Sequence, residues 1–184
     1  MKHLRPRVDH AAALRIFERR LGMRLRRLLR RVGPRRSVHP RLPFAELVWL
    51  PYYLVHVGDR SGGPQTVTLS VEGFSGAFAV FQLHERIVEG PPDGPHFAPK
   101  LNEAEAEAIG RRQLVSALIL MRGNRPHLEP GATVGVEVVH YPYWVYYFER
   151  RRGPIDFRVL DGINADRGAG KVRVSLIAAF CACE

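Results

Sequence analysis

The sequence predicts an α+β protein made of two related helix-plus-antiparallel-sheet units, led by an Arg-rich amphipathic helix. Three observations predict it. Runs of β-branched and aromatic residues alternate with Gly/Pro turns, two helical segments carry capping signals, and one local pattern recurs about 90 residues later. The chain has 184 residues, of which 46% are hydrophobic and 25% charged, an ordinary globular composition with room for one domain or two small ones.

The first predicted element is a helix from His10 to Val32. Asp9 is its N-cap, and Gly33-Pro34 is its stop, because Gly accepts the left-handed cap and Pro cannot continue the ladder. At 100° per residue Leu14, Phe17, Leu21, Leu25, Leu28, Leu29 and Val32 form an apolar stripe, with Glu18 inside one edge. Arg15, Arg19, Arg20, Arg24, Arg26, Arg27, Arg30 and Arg31 occupy the opposite arc, where only Ile16 and Met23 intrude.

Residues 35–44, with Pro40 and Pro43, read as a linker. Strands follow at Glu46–Val57, Thr66–Glu72 and Ala77–His84, the first two separated by a turn over Gly58–Pro64. Gly90–Pro99 is rich in Pro and Gly and reads as an irregular boundary loop. A second helix spans Glu103–Arg122, with Asn102 as cap, Glu103, Glu105 and Glu107 at the positive end of the macrodipole, and Gly123 as stop. Val134–Phe148, Ile155–Leu160 and Val172–Phe180 complete the strands, with Asn164–Gly170 as a hairpin turn. The predicted organisation is residues 1–45 as basic helix and linker, 46–100 as a first sheet unit, and 101–184 as a second helix-plus-sheet unit.

The repeat is local. Val48-Trp49-Leu50-Pro51-Tyr52-Tyr53-Leu54-Val55 aligns with Val139-His140-Tyr141-Pro142-Tyr143-Trp144-Val145-Tyr146, ninety-one residues on. Val71-Glu72-Gly73-Phe74 aligns with Leu160-Asp161-Gly162-Ile163 at a spacing of eighty-nine. The period is too long for a solenoid repeat, so it implies a tandem pair in which Glu46–Glu72 and Glu137–Asp161 share one strand order.

Arg158-Val159-Leu160-Asp161-Gly162-Ile163 resembles the strand and acidic turn that close PepSY-like modules, in which a helix leads into a small antiparallel sheet. The resemblance covers each half once. It departs in its longer units, its Pro-Tyr pair inside the main strand and its Arg-rich helix. It implies an interaction or regulatory module rather than an enzyme.

Charge is the sharpest functional signal. Residues 1–45 hold fourteen Lys/Arg against Asp9 and Glu18, a net +12, while the whole chain is +10. Guanidinium groups fork onto phosphate, and the arginine arc has almost no acidic residues interspersed. The leading expectation is a non-enzymatic binding or adaptor protein that engages an anionic partner through these eight arginines. Nucleic acid, a lipid surface or an acidic protein would each serve. The alternative is a small-molecule-binding or enzymatic domain with its pocket between the two units.

The aromatic strands read first as core. Alternation places His140, Trp144, Tyr146 and Phe148 on one face and Tyr141, Tyr143, Val145 and Tyr147 on the other. Pro51 and Pro142 suggest edge strands, so Tyr52, Tyr53, Tyr143 and Trp144 are the candidate interaction residues, with self-association along those edges.

Other signals exclude chemistry. Gly168-Ala169-Gly170-Lys171 fails as a phosphate loop, because Ala165 and Val172 stand where Gly and Ser/Thr are required. The eight histidines are scattered, Cys181 and Cys183 frame no disulfide network, and no catalytic triad or carboxylate pair stands out. No catalytic residue, metal or cofactor is expected. No apolar run approaches the ~20 residues of a spanning helix and no signal peptide is evident, so the expected location is cytoplasmic, or peripheral to a membrane at most.

Overall fold

The structure is a computed structural model that describes residues 1–19, 42–59, 66–83, 86–120, 130–150, 154–167 and 170–182. Its elements run β1 Lys2–Leu4, α1 His10–Glu18, β2 Phe44–Asp59, β3 Thr66–Glu72, β4 Phe78–Val80, β5 Ile87–Glu89, α2 Glu103–Leu120, β6 Pro130–Glu149, β7 Ile155–Asp161 and α3 Gly170–Cys181. The fold is mixed α+β around one seven-stranded sheet ordered β4-β3-β2-β6-β1-β5, with β7 also paired to β6. Among the described residues no helix is long and apolar enough to cross a membrane.

The two long aromatic strands are the centre of this sheet. β2 and β6 pair antiparallel from Phe44↔Tyr147 to Asp59↔Pro130, with bulges near His56 and Val57. Each then carries its own antiparallel partner, β3 on β2 and β7 on β6. The prolines are therefore central, which corrects the expectation of Pro-bearing edges open to self-association.

They are tolerated there for a geometric reason. A strand residue points its N–H and C=O to the same side. The Pro142 carbonyl accepts from Gly162 N at 3.0 Å and the Pro51 carbonyl from Gly73 N at 2.8 Å, both away from the β2–β6 seam. The missing N–H of each ring thus faces outward and removes no bond between the central strands. On that outer side β6 pairs with β1 only as far as His140 and with β7 only from Tyr143.

One face of the sheet is covered by α1 and α2. Asp9 caps α1, accepting from Ala12 N at 2.7 Å, and Asn102 with Glu105 forms a reciprocal capping box on α2, both bonds being 2.9 Å. Each helix touches both central strands, so neither packs only on the strands nearest it in sequence. α1 precedes β2, yet Ala13 and Phe17 pack with Trp144, Tyr146 and Leu160 of β6 and β7. α2 precedes β6, yet Ala106 and Leu114 pack with Tyr53, Val55, Leu69 and Val71 of β2 and β3. In α1 Ala13 and Phe17 are buried and Arg15 is exposed, and Arg19, at its C-terminal end, is exposed too. The expected continuation to Val32 lies outside the described residues.

α3 covers part of the opposite face and corrects the predicted strand Val172–Phe180. Val172, Leu176, Ala179 and Phe180 all join one cluster on the sheet, a helical spacing, while Val174 and Ile177 are exposed. A short apolar run fits either structure until a packing surface selects the period. Arg173 bonds Asp156 and sits 4.5 Å from the Phe157 ring centroid, tying the helix to β7. The expected hairpin over Asn164–Gly170 is also corrected: the chain returns only for a single Leu160↔Arg167 bridge before α3 begins. Of the predicted strand Ala77–His84, whose last residue lies outside the described residues, three residues form β4, and the short strands β1 and β5, unforeseen, pair with each other.

Candidate functional site

The face carrying α3 holds a cavity of about 250 Å³ where β2 meets β6. Strand alternation sends Tyr52 from β2 and Tyr141 and Tyr143 from β6 to this face, and Asp161 closes the side at the end of β7. Leu54, Val139 and Phe81 provide apolar wall. The cavity lies between two clusters. One is packed under α3 around Val145, Val159 and Leu176, the other under the chain after β4 around Leu54, Phe81 and Ile163.

The three tyrosines form a layer. Tyr141 lies 5.4 Å from Tyr52 and 5.1 Å from Tyr143 between ring centroids, both pairs tilted. Tyr52 Oη and Tyr143 Oη are 2.8 Å apart, so one hydroxyl donates to the other. That bond uses one of two phenolic hydrogens and leaves the second for another acceptor. Tyr141 donates to Asp161, at 3.0 Å to Oδ1 and 2.9 Å to Oδ2. Burial pushes all three hydroxyls above their ordinary pKa, with Asp161 adding to the effect at Tyr141, so they stay protonated donors throughout the physiological range.

Asp161 is held by its turn, accepting from Ile163 N at 2.7 Å and Asn164 N at 2.9 Å through Oδ1. Glu72, eighty-nine residues earlier, holds its own turn in the same way, accepting from Phe74 N at 3.0 Å and Ser75 N at 2.7 Å. The two carboxylates then differ. Glu72 is buried and its Oε2 is also taken by Ser75 Oγ at 2.5 Å and by Ser175 Oγ of α3 at 2.8 Å. Among the described residues Asp161 Oδ2 receives only Tyr141, and it stands at the cavity wall.

Of the predicted interaction residues, the structure brings Tyr52 and Tyr143 together and sends Tyr53 and Trp144 to the opposite face. There they anchor helices: Tyr53 Oη donates to the Leu101 carbonyl at 2.7 Å and Trp144 Nε1 to the Val8 carbonyl at 2.8 Å. Both acceptors immediately precede a helix cap, which makes these rings structural rather than interacting. Arg15 and Arg19 are exposed, while Arg20, Arg24, Arg26, Arg27, Arg30 and Arg31 lie outside the described residues.

Sequence reasoning missed Tyr141, Asp161 and Phe81 as parts of one site. The signal for Tyr141 was present, since alternation places it on the face of Tyr143. Asp161 was visible only as a turn residue, and Phe81 only as part of a strand that is shorter than expected. Among the described residues no group of three or more His, Cys, Asp or Glu is placed to hold a metal. The chain matches no family model, no curated protein and no solved structure.

Proposed function

We propose that the chain is a tandem pair of related units that binds a small ligand, without chemistry, in the tyrosine-lined cleft where the units meet. One observation carries the binding reading. The Tyr52–Tyr143 hydroxyl pair borders a cavity and retains a hydrogen-bond donor that no described protein group accepts. Buried polar groups are ordinarily satisfied, and a few convergent polar groups in an otherwise apolar cavity are the usual form of a binding site.

The tandem reading is supported by recurring geometry. Lys100 N and Leu101 N donate to Gly73 O at 3.0 and 2.9 Å, and Arg7 N and Val8 N donate to Gly162 O at 2.8 and 2.9 Å. Gly76 has φ +69°, and Ala165, eighty-nine residues on, has φ +61°. Tyr52 and Tyr143, ninety-one residues apart, meet each other. In this reading each unit's helix spans the long strands of both units, and the PepSY-like resemblance implies the same kind of interaction module.

The test is a ligand screen by NMR of the complete chain, using neutral, cationic and anionic small molecules. Binding shifts centred on Tyr52, Tyr141 and Tyr143 support the reading. Ala79, an exposed wall residue, supplies the control: Ala79→Trp fills the cleft and abolishes those shifts. A screen in which no small molecule perturbs these residues overturns it.

A second reading concerns the arginines and rests on the +12 charge of residues 1–45. There the arm engages an anionic partner, in nucleic acid, lipid or an acidic protein. Reversing Arg26, Arg27, Arg30 and Arg31 to Glu is expected to abolish that binding with folding intact. If duplex nucleic acid is the partner, each lost phosphate contact reduces the logarithmic salt slope by about 0.9. Unchanged binding leaves the arginines as a solvated face.

A further inference from the structure

We infer that the ligand of the tyrosine cleft is a small organic cation, an ammonium group bearing apolar substituents; this rests on the ligand-binding reading above. Four aromatic rings, Tyr52, Tyr141, Tyr143 and Phe81, line the cavity together with the carboxylate of Asp161. No Lys, Arg or His is among the described residues that line it. An anion entering would lose its hydration beside a carboxylate with no countercharge, a costly transfer. A cation would be attracted by the lining rings and by Asp161 Oδ2, which among the described residues accepts only from Tyr141, so quadrupole and charge attraction combine in a partly desolvated place.

The protonation pattern favours the same ligand. The hydroxyls are neutral donors, so the rings contribute polar tips without charge, and among the described lining residues Asp161 is the one acidic or basic side chain. The unused phenolic hydrogen of the Tyr52–Tyr143 pair would take an acceptor on the ligand, such as an alcohol oxygen two carbons from the ammonium. A volume of about 250 Å³ suits a molecule smaller than the usual drug-sized occupant. Glu72 stays outside this role, because its own turn and two serines already surround it.

The experiment compares choline with 3,3-dimethylbutan-1-ol, which replaces the nitrogen by carbon and removes only the charge. Affinities are read by NMR titration on the complete chain. Choline is expected to bind at least about tenfold more tightly than the alcohol, with shifts at the three tyrosines. Asp161→Asn is expected to remove that preference while leaving weak binding of the alcohol. Equal or tighter binding of the alcohol overturns the cation inference and leaves the cleft a binding site. Binding of neither probe, while another molecule from the screen binds at the tyrosines, also overturns this inference alone. Failure of every class of molecule overturns both. Because Asp161 also holds its turn, the comparison on the unaltered chain decides the question if Asp161→Asn does not fold.

Discussion

The two faces of the central β2–β6 pair receive similar aromatic residues and use them differently. On the face of α1 and α2, Tyr53 and Trp144 spend their polar tips on the carbonyls of Leu101 and Val8, which fixes where each helix begins. On the face of α3, Tyr52 and Tyr143 bond each other and Tyr141 bonds Asp161, beside a cavity. The difference lies in the covering layer. Two capped helices close the first face, whereas among the described residues the second has a helix over β6 and β7 and the chain after β4 beside Leu54.

Within the closed face the two helices also differ. Phe17 of α1 stacks on Tyr146 at 5.0 Å, whereas Gly110 of α2 leaves room for Val55, which a Cβ there would approach to 3.2 Å. Large-on-large and small-on-small packing fill the same kind of interface. The comparison of faces breaks most visibly at Trp144. Trp144→Ala removes a buried ring and the anchor of α1, and is expected to cost about 3–5 kcal/mol in denaturant unfolding. Tyr143→Phe on the other face keeps its ring and is expected to cost only about 1 kcal/mol. A cost at Tyr143 equal to that at Trp144 would erase the distinction.

The turns after β3 and β7 sharpen the comparison between halves. A Cβ at Gly162 would lie 2.7 Å from the Pro142 carbonyl oxygen, and one at Gly73 would lie 2.9 Å from that of Pro51. Both obstacles are backbone atoms, so Gly73→Ala and Gly162→Ala are each expected to destabilise by about 1–3 kcal/mol, measured by chemical denaturation. Closely matched losses support the tandem reading, and a loss at only one of them weakens it.

A smaller effect of opposite sign is expected at Ala165. It holds φ +61° where the earlier turn has Gly76 at +69°. Left-handed backbone costs an L-residue about 1–2 kcal/mol, and glycine loses part of that advantage through unfolded-chain entropy. Ala165→Gly is therefore expected to stabilise by about 0.5–1 kcal/mol, read as a raised unfolding midpoint.

The mildest expectation concerns pH. His140 is buried in the closed face near the seam, with Nδ1 3.4 Å from the Lys2 carbonyl and Nε2 3.1 Å from that of Phe97. Burial holds its pKa below the ordinary 6.5, the charges of His96 and His3 act in the same direction, and the two carbonyls oppose them. The folded state therefore binds this proton less readily than the unfolded one. Its contribution to stability is complete above about pH 6.5 and is lost as pH falls through the lower folded value. Unfolding midpoints measured from pH 7.5 to 5 are expected to decline in that window, and His140→Gln is expected to flatten the decline.

Local information carried much of the fold. Asp9 and Asn102 cap their helices because a short side chain can reach an N–H three residues on, and period-two runs built β2, β3, β6 and β7 with bounds close to those expected. Alternation also determined that Tyr141 and Tyr143 share a face. What it left open were the choices that depend on a distant partner. Residues 172–180 became helical because a helix-period stripe met the open surface of β6 and β7, and the prolines proved central because their missing N–H groups face outward.

The sequence by itself determined the periodicity, the caps and the concentration of charge in residues 1–45, since each depends on neighbours within a few positions. Only the tertiary structure decided that β2 lies against β6, that each helix spans both of these strands, and that Tyr52 meets Tyr143. Strand alternation assigns a residue to a face but does not say which strand will lie beside it. That choice is a long-range competition among buried surfaces, and here it placed three tyrosines and Asp161 around one cavity.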